Sequence, residues 1–177
     1  MSSATALLRS LRPHQWVKNL FVAAPLVFSR HLLDSAYGWR AAAAVAIFCA
    51  LSGAVYTFND VRDVEADRAH PTKRNRPIAS GALSTRAALI ASAVLGSAAL
   101  AAAFALTPML GVVAGGYLAN NLAYTLRLKQ VAFLDVAMIA AGFLLRVYAG
   151  AVAINVPASS WLLICTGCLA LFLGLGK

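Results

Sequence analysis

Long apolar stretches alternate with short polar connections along most of this chain. A membrane-spanning helix needs about 20 mostly apolar residues, and each stretch reaches or approaches that length. One connection differs, because residues 59–86 are polar, rich in charge and longer than most links between helices of a bundle. The pattern predicts six spans, which are Val17–Leu33, Ala41–Phe58, Ala87–Leu106, Met109–Leu126, Val131–Ala153 and Ser159–Gly176.

The predicted fold is all-α, a polytopic membrane helix bundle. Short connections such as Thr107-Pro108 make neighbouring helices antiparallel. A hydrophobic content of 61%, only 12% charged residues and a mean hydropathy of +0.76 agree with the membrane class. We expect one domain over residues 1–177, incomplete at its C-terminus, because the chain stops at Lys177 directly after an apolar stretch.

The net charge of +9 does not indicate nucleic acid, because the basic residues are concentrated in alternate connections. Under the positive-inside rule, that side of the membrane is the cytoplasm. The rule therefore places the N-terminus and the loop 59–86 in the cytoplasm, in a multi-pass protein of the cell membrane. The residues on that side are Arg9, Arg12, Lys18, Arg62, Arg68, Lys73, Arg74, Arg76, Arg86, Arg127, Lys129 and Lys177.

Four of the six acidic residues fall between Asp60 and Asp67, directly after the second apolar stretch. A carboxylate at the bilayer centre costs roughly 2.5–3.5 kcal/mol, so these residues belong at a wet membrane edge. On a helix, Asp60, Asp63 and Asp67 share one face, and Glu65 points away. With Asn59 beside them, these carboxylates predict a Mg²⁺ site, since Mg²⁺ prefers hard oxygen ligands shared with substrate phosphates.

A basic run follows the acidic face and contains Lys73, Arg74 and Arg76. Guanidinium groups match phosphate oxygens bidentately, so the run could bind a metal-bound diphosphate. The alternative is that it contacts anionic lipid only. For the acidic face, the alternative is a solvated helix end that Arg62 and Arg68 neutralise.

The other candidates are dispersed along the chain. Lys18, at the start of the first span, and Tyr124 and Lys129, after the fourth, suit either interfacial anchoring or phosphate binding. Asp135 and Arg146 lie within the fifth predicted span, and ionisable residues at that depth usually face a cavity or a partner. We therefore favour a polar cavity that opens to the cytoplasm.

The Asn59–Asp67 pattern NDxxDxxxD and the following run His70–Gly81 together resemble the UbiA-type intramembrane prenyltransferase superfamily. The segments Arg12–Asn19 and Tyr124–Arg146 look closer still to one branch of it, the phosphoribosyltransferases that act on decaprenyl phosphate. The resemblance covers essentially the whole chain. It implies a bundle of nine helices around a central cavity, with two acidic motifs over Mg²⁺; this chain supplies about six helices and the first motif.

For that branch, the resemblance implies transfer of phosphoribose from phosphoribosyl diphosphate to a polyprenyl phosphate. The reaction releases pyrophosphate and serves synthesis of a lipid-linked arabinose donor for the cell wall. The implied metal ligands are Asn59, Asp60, Asp63 and Asp67, with the three aspartates as catalytic residues. The implied substrate contacts are Lys18, Asn59, Lys73, Arg74, Arg76, Tyr124, Lys129 and Arg146.

Two other functions remain open. A prenyltransferase proper would use the same metal site to ionise a polyprenyl diphosphate and alkylate an aromatic acceptor. A cation channel would need acidic residues along a path across the membrane, whereas five of the six acids lie near its two ends. Self-association into a homo-oligomer is left open by the sequence.

Overall fold

The computed structural model describes residues 3–126, 131 and 133–176. Within these residues every regular element is helical, which confirms the all-α prediction. Two 3₁₀ segments, Pro13–Ala23 and Lys73–Asn75, lie among the α-helices. The α-helices are α1 (Ser3–Ser10), α2 (Ala24–Phe28), α3 (Ser35–Arg62), α4 (Val64–Ala69), α5 (Thr85–Leu106), α6 (Pro108–Leu126), α7 (Leu134–Ala153) and α8 (Ser160–Leu175).

Three helices have both the length and the apolar composition to cross a membrane, namely α3, α5 and α7. The apolar helix α8 is shorter, and α6 has 19 residues. These helices correspond to the second through sixth predicted stretches, with α3 extending well beyond both ends of its stretch. The total number of spans stays a prediction.

The first predicted span differs from a single long helix. Its sequence forms the 3₁₀ segment Pro13–Ala23, the five-residue helix α2 and then a turn at Ser29. Pro25 lies in the first turn of α2, where its missing N–H costs little. The same proline would break a longer α-helix, because it lacks the N–H that bonds the carbonyl four residues earlier and its ring meets that carbonyl. The chain therefore changes helix type at this point.

The residues divide into two compact units, and the first comprises Met1–Val17 and Cys49–Ala99. Its small core joins α1 to the polar loop and to the start of α5. Ser92 Oγ donates to the Ala54 carbonyl at 2.8 Å, which ties α5 to α3. The buried members of the core are Ala6, Ile78, Leu83 and Ala88, against which Leu7, Val61 and Val64 pack.

The second unit comprises Lys18–Phe48 and Leu100–Lys177. In it α7 packs against α6, α8 and α2. Asn120 Nδ2 donates to the Met138 carbonyl at 3.1 Å, which ties α6 to α7. The backbones approach closely at Gly150, where an added Cβ would overlap the Val22 carbonyl oxygen. A glycine is therefore required where α7 crosses the 3₁₀ segment.

We expect Gly150→Ala to lower the midpoint of thermal unfolding in detergent. The new methyl group meets backbone rather than a movable side chain, and such overpacking costs about 1–3 kcal/mol. Gly116→Ala is the matched control, because nothing lies within 4 Å of its added Cβ. That control should leave stability unchanged or raise it through better helix propensity. Equal midpoints for the two variants would contradict the close approach.

Candidate active site

Asp60 and Asp67 lie on either side of a slight break between two helices. Asp60 is in the last turn of α3, and Asp67 is in the short helix α4. Backbone hydrogen bonds continue across the break, from Asp63 N–H to the Asn59 carbonyl at 2.9 Å and from Asp67 N–H to the Asp63 carbonyl at 2.8 Å. The helical spacing that the sequence predicts for these residues is therefore nearly preserved.

One guanidinium group joins the two carboxylates. Arg76 Nη1 donates to Asp60 Oδ1 at 3.2 Å and to Asp67 Oδ2 at 2.6 Å. The side chains of Asp60 and Asp67 are only 3% and 4% exposed, whereas that of Arg76 is 29% exposed. Two nearly buried carboxylates thus converge on one cationic nitrogen, which confines them to a small space.

Arg12 supplies the second cation. Its Nη2 donates to Asp60 Oδ1 at 2.5 Å, and its guanidinium carbon lies 5.3 Å from the centre of the Tyr56 ring. The sequence interpretation gave Arg12 no site role and named Arg62 and Arg68 as the alternative partners of the carboxylates. Arg68 instead bonds Glu65 at 3.0 Å and the Ala79 carbonyl at 3.3 Å.

The loop that carries Arg76 is shaped by hydrogen bonds at its start. The backbone N–H groups of Thr72 and Lys73 donate to His70 Nδ1 at 3.3 and 3.4 Å. Arg76 N–H then donates to the Lys73 carbonyl at 2.9 Å, which closes the 3₁₀ turn. Lys73 and Arg74 are exposed on this turn. Of the basic run, the structure therefore brings Arg76 to the carboxylates.

A cavity of about 460 Å³ opens beside Asp60. Its walls come from the end of α1, the start of the first 3₁₀ segment and the polar loop. Apart from two prolines, its lining residues are polar or charged. They are Arg9, Arg12, Pro13, His14, Asp60, Thr72, Asn75, Arg76 and Pro77.

The oxygen atoms of the carboxylate pair are suitable ligands for a divalent cation. Mg²⁺ is commonly held by one or two carboxylates together with substrate phosphates, and Asp60 and Asp67 already share one positive partner. No set of three or more acidic, His or Cys side chains is gathered as metal ligands within the described residues. The part of Asn59 and Asp63 in metal binding stays a prediction.

A second polar cluster lies inside the second unit. Arg146 is 6% exposed and its guanidinium donates three hydrogen bonds, to Asn19 Oδ1 at 2.9 Å, to the Gly142 carbonyl at 3.0 Å and to Tyr117 Oη at 2.7 Å. The rings of Tyr117 and Phe143 also flank it, at 4.7 and 5.5 Å. Arg146 thus ties α7 to α6 and to the 3₁₀ segment.

Comparison with known proteins gives the family. Residues 16–176 match the UbiA prenyltransferase family. The chain belongs to this family. It is 42% identical over 177 residues to decaprenyl-phosphate phosphoribosyltransferase of Mycolicibacterium smegmatis, covering 98% of this chain and 56% of that protein. The protein of the same name from Corynebacterium glutamicum is 39% identical over 181 residues, covering 98% of this chain and 54% of that protein.

A solved UbiA homologue has the same fold. The structure from Archaeoglobus fulgidus, bound to DMAPP and Mg²⁺, superimposes with a TM-score of 0.78 at 21% identity, covering 94% of this chain and 60% of that one. The resemblance inferred from the sequence motifs is therefore confirmed, and the present chain is an integral membrane protein. This chain spans a little over half the length of the curated relatives that it matches.

Within this UbiA chain, the other predicted contacts have different surroundings. Lys18 is exposed in the 3₁₀ segment, and Tyr124 is half-buried in α6. Lys129 lies outside the described residues. Asp135 is in the first turn of α7, where its Oδ1 accepts from the Val136 N–H at 2.7 Å. The roles of Lys18, Tyr124 and Lys129 in phosphate binding, and the polar cavity predicted near Asp135, stay predictions.

Sequence reasoning did not identify Arg12 and Tyr117. A signal for Arg12 exists, since buried carboxylates require nearby cations and the N-terminal segment is basic. The tyrosine gives no such signal, because a lone Tyr in an apolar helix is usually a packing residue. Arg146 was predicted to contact substrate. In the structure three nitrogens of its guanidinium group donate to protein oxygen atoms instead.

Replacing Arg146 should destabilise the protein more than removing any single partner. Arg146→Met removes three hydrogen bonds from a charged donor, each worth about 1.5–3 kcal/mol. Tyr117→Phe removes only one of these bonds. Thermal unfolding in detergent should rank Arg146→Met below Tyr117→Phe, with Arg146→Lys between them. If Arg146→Met is no less stable than Tyr117→Phe, the hydrogen bonds of Arg146 do not stabilise the packing of α7 on α6 and on the 3₁₀ segment.

Proposed function

We propose that the protein transfers the 5-phosphoribosyl group from phosphoribosyl diphosphate to a polyprenyl phosphate and releases pyrophosphate. The observation that carries this proposal is the pair of buried carboxylates, Asp60 and Asp67, that share Arg76 beside a polar cavity. The names of the M. smegmatis and C. glutamicum relatives support the same reaction. The product, a lipid-linked phosphoribose, would be a precursor of the lipid-linked arabinose donor used in cell-wall synthesis.

The chemistry of the cavity favours a ribosyl donor over a prenyl donor. Its lining contains three arginines, a histidine, an aspartate, a threonine and an asparagine. Hydroxyl and phosphate groups form hydrogen bonds with such side chains, whereas a prenyl chain needs apolar walls. The second candidate, a prenyltransferase acting on an aromatic acceptor, keeps support from the family and from the DMAPP-bound homologue.

Asp60 and Asp67, with Asn59 and Asp63, would hold Mg²⁺. When bound, Mg²⁺ neutralises charge on the departing pyrophosphate. Arg76 and Arg74 would bind the phosphate oxygens by charge-assisted hydrogen bonds.

In the reaction, the bond from ribose C1 to the pyrophosphate oxygen breaks, and an oxygen of the lipid phosphate bonds to C1. The lipid phosphate is already anionic at neutral pH, so no general base is needed. Lys73, Lys18, Tyr124 and Lys129 remain candidates for the other phosphate contacts, whereas the guanidinium of Arg146 is held by three protein acceptors. We place the reaction at the cytoplasmic face of the cell membrane, where the polyprenyl phosphate acceptor lies in the bilayer. Homo-oligomers are compatible with this arrangement.

Pyrophosphate release tests the proposal. The natural protein is purified from cells in detergent and incubated with Mg²⁺, phosphoribosyl diphosphate and polyprenyl phosphate. We expect release to need both substrates and to fall at least about a hundredfold in Asp60→Asn, because charge stabilisation of the leaving group is lost. Glu65→Gln is the matched control, since its carboxylate is 82% exposed and bonds only Arg68 among the ion pairs of the described residues.

Two outcomes would reject the proposal. Turnover of a prenyl diphosphate with an aromatic acid, without release from phosphoribosyl diphosphate, would establish the second candidate. If Asp60→Asn is as active as Glu65→Gln, the carboxylate pair takes no part in the reaction.

The effect of Mg²⁺ on the midpoint of thermal unfolding tests metal binding to the carboxylate pair separately. Arg76→Gln leaves Asp60 and Asp67 facing each other without the shared cation, and we expect a loss of about 1–3 kcal/mol. Mg²⁺ alone should then raise the unfolding midpoint more in Arg76→Gln than in the wild type, because a ligand that binds the folded state stabilises it. Arg68→Gln is the control, and should respond as the wild type does.

The extra Mg²⁺ response should disappear when Asp67→Asn is added to Arg76→Gln. If Mg²⁺ shifts all these proteins equally, the cation is not held between the two carboxylates. The measurement uses no substrate, so it stands whether or not the phosphoribosyl reaction is correct.

A further inference from the structure

We propose that the cavity beside Asp60 contains a separate subsite for a phosphate monoester, and that Arg9 and His14 form one wall of that subsite. The proposal deepens the function proposed above, because it names residues for the second anionic group that this reaction requires. Neither residue was among the sequence-derived site candidates. Both line the cavity that Asp60, Arg12 and Arg76 also line.

The backbone places Arg9 and His14 on either side of a tight corner. Arg9 is in the last turn of α1, and His14 is in the first turn of the 3₁₀ segment. Between them Arg12 has a φ of 52°, in the left-handed region that non-glycine residues rarely adopt. Arg12 N–H donates to the Arg9 carbonyl at 3.2 Å, and Gln15 N–H donates to the Arg12 carbonyl at 2.8 Å.

This corner is fixed from several directions. Leu11 packs closely on Gly53 of α3, where an added Cβ would lie 3.2 Å from Leu11 Cδ2. Trp16 Nε1 donates to the Leu11 carbonyl at 3.2 Å, and Arg12 is bonded to Asp60. A non-glycine residue keeps a left-handed conformation only when its surroundings enforce it, and such residues cluster at functional sites. The wall is therefore preorganised rather than a loose basic tail.

The charge of the cavity lining favours an anion. Its three arginines face a single aspartate, Asp60, which both Arg12 and Arg76 already contact. Arg9 and His14 place a guanidinium and an imidazole in the same lining. Thr72 and Asn75 supply neutral hydrogen-bonding groups from the opposite segment. Guanidinium groups bind phosphate bidentately, and imidazole contributes a further donor.

The size of the cavity agrees with a small phosphorylated ligand. Its volume of about 460 Å³ lies in the roughly 300–1,000 Å³ range of ligand pockets. The monoester could be the 5-phosphate of the ribosyl donor or the head group of the lipid acceptor. Both present the same dianionic chemistry to Arg9 and His14, so ligand binding has to separate them.

Equilibrium binding to the purified protein in detergent tests the subsite. Three probes are used: ribose 5-phosphate, a short-chain polyprenyl phosphate, and inorganic pyrophosphate with Mg²⁺. We expect Arg9→Gln and His14→Gln each to weaken binding of one monoester about tenfold or more, the usual effect of losing a hydrogen bond to a charged group. Pyrophosphate binding should be unchanged. Arg86→Gln, an exposed arginine at the start of α5, is the matched control and should bind all three probes normally.

The monoester that loses affinity identifies the source of the phosphate. The proposal is overturned if the wild type binds neither monoester, if Arg9→Gln binds both as the wild type does, or if pyrophosphate binding falls equally. A wild type that fails to bind pyrophosphate with Mg²⁺ would count against the proposed function alone. In that case a selective loss of monoester binding in Arg9→Gln would still support the subsite.

Discussion

The burial of two neighbouring carboxylates is the constraint on which the first unit depends. Asp60 and Asp67 are almost fully removed from solvent, and two negative charges so placed are tolerated only with cations close by. Arg76 reaches them from the polar loop, and Arg12 reaches Asp60 from the N-terminal segment. The need of these two carboxylates for nearby cations therefore fixes the positions of the polar loop and the N-terminal segment, which are distant in sequence. The apolar core around Ile78 stabilises the same two segments.

For the proposed function, the same pairing would prepare the site for an exchange of charges. A guanidinium between two carboxylates occupies a position that suits a divalent cation, and phosphate oxygens are equally good partners for the guanidinium. Binding of a metal diphosphate would move Arg76 from carboxylate to phosphate without leaving either charge unpaired. Because Arg76 is partly exposed while the carboxylates are buried, the arginine is the group that can move. The acids would keep their places throughout.

The sequence predicted the features that depend on local spacing. Helical periodicity correctly related Asp60 to Asp67, and the apolar stretches located the helices from α3 onward. Contacts between distant segments were not predictable in this way. Arg12 meets Asp60 across 48 positions and Arg146 meets Asn19 across 127, so both depend on tertiary packing. Within the first predicted stretch the chain forms a 3₁₀ segment and a short α-helix, because apolar composition carries no information about helix type.

The arginines of this chain differ in function because their partners differ in charge. Arg146 donates to neutral oxygens, namely the Asn19 side-chain amide, the Gly142 carbonyl and the Tyr117 hydroxyl. These groups lie among packed apolar helices. Exchanging those partners would leave buried polar groups unsatisfied, so this arginine is held in place. Arg12 and Arg76 bond carboxylates at the edge of a cavity, where an incoming cation can take over the acids and an incoming anion can take over the arginines. An arginine of this chain is thus held in place or able to exchange partners according to the charge of the groups that it contacts.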